Sequence, residues 1–139
     1  MKQLKFIGVL MCLSVLLTGC KTFKFLDRGS NKLRKVATEH TIPAKQEFII
    51  GEFQDTSYKV YVNNEAKTHI IILLVDRNTN KQTQSFRLEP TENATVFAAK
   101  FEKLIIQNHS SEEIKLKIGL NKEVEGMRYQ EVKEYEQER

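Results

Sequence analysis

The chain has 139 residues, 40% of them hydrophobic and 29% charged, with two cysteines and a formal net charge of +4. That length and its dense, short apolar runs hold one small domain, with no internal repeat and no second domain. The charge excess is too small to point to nucleic acid, and Lys2 and Lys5 alone account for about half of it.

Met1, Lys2 and Lys5 make a short positive start, and Phe6 to Leu17 (FIGVLMCLSVLL) make an almost wholly apolar run. A helix that crosses about 30 Å of hydrocarbon needs roughly 20 apolar residues, so this run is too short to span and reads as a cleavable secretory leader. In place of a small-x-small cleavage pattern stands Leu17-Thr18-Gly19-Cys20. This tetrad resembles the lipobox of bacterial lipoproteins that are processed by signal peptidase II. The resemblance implies that residues 1–19 are removed, that the Cys20 thiol carries a diacylglycerol, and that the new amino terminus is acylated. It places the protein on a membrane of the cell envelope, and Lys21, where an inner-membrane retention signal has aspartate, favours the outer membrane. Cys12 lies in the leader and Cys20 at the modification site, so residues 21–139 hold no cysteine and the domain must cohere without disulfides.

Residues 20–45 read as the lipidated cysteine and a basic tether, with Lys21, Lys24, Arg28, Lys32, Arg34, Lys35 and Lys45 against Asp27 and Glu39. Two readings of its charge stay open: contact with anionic headgroups, or a solvated linker. Residues 46–120 carry the apolar alternation of a single domain. Phe48 to Phe53 is an expected strand with a bulge at Gly51. Tyr58, Val60 and Val62 alternate with Lys59, Tyr61 and Asn63, the period of a strand. Ile70 to Val75 (IIILLV) is apolar on both parities, as expected of a strand covered on two sides.

Phe86 and Leu88 end what reads as a three-stranded meander from Tyr58. Further strands are expected over Thr95 to Ala99, Leu104 to Gln107 and Ile114 to Leu120, with Asn- and Ser-rich turns between them. The spacing predicts an all-β fold: a small antiparallel β-sandwich, immunoglobulin-like or transthyretin-like, of six to eight strands. Residues 121–139 read as a charged tail, either a short exposed helix over Glu131 to Arg139 with Val132 and Tyr135 on one face, or a disordered acidic end.

Chemistry is sparse. His40 falls in the tether, His69 at the mouth of a strand and His109 in a turn, with no metal-ligand spacing among them. His69 shares a parity with Ile71 and Leu73, and pairing with Asp55 or Glu102 is the one catalytic arrangement the pattern suggests. Glu112 and Glu113 would point to opposite faces of a strand, which is wrong for paired carboxylates. The expectation is therefore no catalytic, metal or cofactor residues, with Cys20 as the sole assigned site. The functional reading is a membrane-anchored, non-enzymatic protein-binding or structural module of the envelope, partnered by the membrane and an envelope protein and not by nucleic acid. Two alternatives are a ligand carrier or weak hydrolase, with a site between the sheets or at the rim holding Asn108 and His109, and an inhibitor of an envelope-degrading enzyme.

Overall fold

The computed structural model describes residues 30–138; the expected leader, the lipobox-like tetrad and Cys20 lie outside them. In chain order the described elements are a short helix α1 (Ser30–Lys35) and strands β1 (Thr38–Ile42), β2 (Gln46–Ile50), β3 (Tyr58–Asn64), β4 (Ile70–Asp76), β5 (Gln82–Leu88), β6 (Asn93–Ala98), β7 (Glu102–Gln107), β8 (Ile114–Leu120) and β9 (Arg128–Glu131). They form two antiparallel sheets, one in the order β1-β8-β3-β6 and the other β5-β4-β7-β2-β9. The described residues form an antiparallel β-sandwich of nine strands, one more than the upper end of the expected range.

Period-two alternation builds the interior. Val60, Val62, Leu116 and Ile118 from the four-stranded sheet meet Phe48, Ile50, Ile72, Leu74, Leu104 and Ile106 from the five-stranded sheet in one buried cluster. Each such side chain contributes roughly 1.5–3 kcal/mol by leaving water. Among the described residues of this cluster, Tyr58 is the one with a polar tip. Its hydroxyl donates to the Ile50 carbonyl at 2.8 Å and accepts from the Leu104 amide at 3.2 Å. Gly51, at φ +83°, leaves the room that this hydroxyl occupies, since a Cβ there would stand 2.2 Å from it. Gly51 therefore ends β2 instead of bulging it; the register shift lies at Leu74/Val75 in the pairing of β4 with β5.

The expected meander is corrected: β3 pairs with β6 and β8, whereas β4 pairs with β5 and β7 in the opposite sheet. The reason is Asn64, which is fully buried where the chain crosses between sheets. Its side chain donates to the Thr68 and Leu88 carbonyls and accepts from the Ala66 amide, so a turn that reads as a hairpin is a sheet-to-sheet corner.

Two strands fall outside the expected 46–120 core. β1 lies within the expected tether and pairs with β8, while β9 lies within the expected tail and pairs with β2. Both are edge strands, and neither carries the apolar alternation that marks a strand in sequence. Beyond β9, residues 132–138 form neither of the two expected tails. They cross the outer face of the five-stranded sheet as a strap and reach its far edge, where Gln82 and Gln137 form a parallel bridge.

On the outside of the other sheet, α1 lies against β8 and β3 with Leu33 buried. Gly119 permits this approach: a Cβ at that position would meet the Leu33 carbonyl at 2.3 Å.

Candidate binding cleft

The strap makes the site. β4 sends Ile70, Ile72 and Leu74 inward, and sends Ile71, Leu73 and Val75 outward to join Ile49 of β2 and Ile105 of β7. This outer apolar cluster is covered by Tyr135. Where the cover is incomplete, a cleft of about 510 Å³ remains, floored by Ile71 and Leu73, walled by Gln82, Ser85, Gln107 and His109, and roofed by residues 132–135.

A buried carboxylate holds the roof in place. Glu47 on β2 is fully shielded from solvent, and its oxygens accept from the Tyr135 hydroxyl at 2.6 Å, from the Gln107 amide at 2.8 Å and from the Gln130 amide. Charge buried without donors is costly, and these three supply them. Burial, then the hydrogen bond to Glu47, pushes the Tyr135 hydroxyl well above its ordinary range, so it stays a donor. The ring of Tyr135 also stands 5.1 Å from the Lys133 ammonium and 5.9 Å from that of Lys103. Lys103 is itself mostly buried, donates to Asn80 at 3.2 Å, and is held below the ordinary lysine range by burial and then by the charge of Lys133.

The same network fixes His109. The Gln107 amide nitrogen donates both to Glu47 and to the Lys133 carbonyl at 3.0 Å, so its oxygen must face the imidazole. An amide oxygen only accepts, and His109 Nε2, 2.9 Å away, is therefore the donor. Carboxylate and imidazole are joined only through an amide, which orients both and relays no proton between them. The arrangement suits recognition: an apolar floor, an aromatic roof, and a rim of amide, hydroxyl and imidazole groups.

The sequence-proposed partners of His69 are elsewhere. His69 precedes the first residue of β4, whereas Glu102 pairs with Asp76 at its last, about 23 Å away at strand rise. Glu102 accepts from Thr83 and the Ala99 amide, and Asp55 pairs with Arg77 at 3.2 Å. Asn108, proposed with His109 at a loop rim, is fully buried and spends its side chain on the carbonyls of Ile42, Pro43 and Glu112 and on Ser110. Of the rim pair, only His109 reaches the cleft. His40 lies on β1, stacked on Phe48 at 5.5 Å, beside a smaller groove of about 320 Å³ between Val36, Phe48, Ile118 and Met127. Among the described residues no group of three or more His, Cys, Asp and Glu gathers as around a metal ion, and no helix is long and apolar enough to cross a membrane.

Glu47, Gln107 and Tyr135 were invisible in sequence as a site. A single glutamate beside an apolar run reads as one wet position, and Tyr135 reads as part of a solvated tail.

No protein-family model matches the chain, and no curated protein sequence matches it. Among solved structures the chain is similar to PirA, with 10% identity and a TM-score of 0.48 over 62% of this chain and 94% of that one. It is also similar to the Yersinia pseudotuberculosis-derived mitogen, with 16% identity and a TM-score of 0.44 over 66% of this chain and 92% of that one.

Proposed function

We propose that the chain is a bacterial lipoprotein, anchored to an envelope membrane through acyl chains on Cys20, and that its sandwich is a non-enzymatic module that binds an envelope protein at the cleft beneath the strap. The lipobox-like tetrad supports the anchor. The observation that carries the binding role is the separation of Glu47 from His109 by the Gln107 amide, which builds a fixed recognition surface without an acid-base pair.

Two measurements in cells test this reading. Cys20→Ala abolishes fatty-acid labelling and releases the protein from the membrane fraction; labelling that persists overturns the anchor. A photo-crosslinker at Ser85, on the cleft wall, captures a discrete partner that one at exposed Glu113 does not. Identical capture from both positions overturns the cleft as the binding surface.

A further inference from the structure

The outer face of the four-stranded sheet has a different chemistry from the strapped face. Register places Lys59, Lys115 and Lys117 on it, with Phe97 beside Lys59 on the neighbouring strand. α1 lies on the same face and adds Lys32, Arg34 and Lys35, the guanidinium of Arg34 standing 5.7 Å from the Tyr61 ring. Six basic side chains thus share one face with Glu39, and Glu65 stands at its rim. Those two acids pair with Lys115 and Lys117 at 3.6 and 3.3 Å, across distances and exposures at which such pairs are weak and exchange readily for other anions. Phe97 stands 56% exposed among these cations, an aromatic prong on a charged surface. The opposite face mixes signs: Glu134, Glu136 and Glu138 of the strap stand with Lys133, and Arg87, Lys103 and Arg128 lie on the strands beneath.

The chain's connectivity gives the basic face its neighbour. α1 is where the described fold begins, and Cys20 is ten residues before Ser30, at most about 35 Å of extended chain. We infer that this face docks on anionic phospholipid headgroups, with its lysines among the phosphates and Phe97 in the interface, so that the strapped cleft is turned away from the membrane. Basic side chains with an interleaved aromatic are the recognition set for such a surface. The orientation rests on the lipid anchor proposed above; the affinity of the face does not.

The test uses residues 20–139 with Cys20→Ser, which carry neither lipid nor leader and retain every described residue. Binding is measured by co-flotation with phosphatidylcholine vesicles, with and without about a third phosphatidylglycerol. The expected result is binding at least about tenfold tighter to the anionic vesicles, lost in high salt, and reduced about tenfold by Lys59→Glu, Lys115→Glu and Lys117→Glu together. Neutralising Lys21, Lys24 and Arg28 instead should cost less. Because no other cysteine follows Cys20, a polarity-sensitive dye on Phe97→Cys reports contact directly: its emission shifts to the blue on anionic vesicles, and the same dye on Ser85→Cys does not. Lys115→Cys replaces Phe97→Cys if circular dichroism shows that the latter is unfolded. Equal binding to both vesicles, equal binding by the charge-reversed and parent chains, or a dye shift at Ser85 as large as on the basic face each overturns the inference. Loss of the anchor reading would show instead as unaltered labelling of Cys20→Ala in cells.

Discussion

Glu47 and Tyr135 show how one buried charge organises a surface. The carboxylate is tolerable only because three donors converge on it, and Tyr135 is the one that belongs to the strap. Tyr135→Phe keeps the ring and removes the donor, so the expected loss is roughly 1–3 kcal/mol in urea unfolding with an unchanged slope. Amide exchange at Glu138, whose N–H donates to the Gln82 carbonyl at 2.9 Å, should quicken in parallel. A stability equal to the parent would show that the hydroxyl is not the latch. His40 supplies a second residue-scale test. Burial holds its imidazole below the ordinary 6.5, so the unfolded chain takes up a proton at higher pH than the folded one. Stability contributed by neutral His40 is therefore intact above about 6.5 and falls as pH drops toward its lower folded value. Glu52, held below the carboxylate range chiefly by the hydrogen bond from Arg128, contributes stability that is present above its ordinary 4.5 and lost as pH falls through its folded value. Thermal scans between about pH 7 and pH 5 should show a decline that His40→Gln flattens, while the more acidic decline remains.

Among the elements, β4 was the most legible and the strap the least. An apolar run on both parities requires cover on both faces, and β4 has it: the opposite sheet inside and the strap outside. What the run does not disclose is the identity of the second cover, because residues 132–138 hold only Val132 and Tyr135 as large apolar groups and look fully solvated. β1 and β9 escaped for a related reason, since edge strands need backbone pairing more than an apolar face. Chains ending after Glu131 should lose roughly 2–4 kcal/mol and bind a hydrophobic dye at the uncovered Ile49, Leu73, Val75 and Ile105 cluster. Absence of both effects would mean that the strap packs too loosely to matter. Gly119→Ala addresses α1: its methyl group collides with the Leu33 carbonyl, so the helix should lift from the sheet at a cost of roughly 1–3 kcal/mol. Nuclear magnetic resonance shifts at Leu33 and Tyr61 would follow that displacement, and unchanged shifts would contradict it.

At the scale of the whole molecule, alternation identified the interior strands and the sandwich class but not which strands share a sheet. The turn after β3 has hairpin residues, and only the burial of Asn64 reveals that the chain changes layers there. Sheet order then interleaves the chain: β8 lies between β1 and β3, and β7 between β2 and β4. Strands of both halves of the sequence are needed to finish either sheet, so fragments divided near Pro90 should each be unfolded by circular dichroism and gain structure only when mixed. A folded N-terminal fragment would refute that dependence.

The bridge between Gln82 and Gln137 has one more consequence. β5 is an outer strand with Phe86 exposed, and open strand borders recruit strands from other molecules. By seating residues 136–138 at the start of that border, the chain blocks one end of its own sheet against growth. The molecule thereby carries its own safeguard against fibril-like stacking.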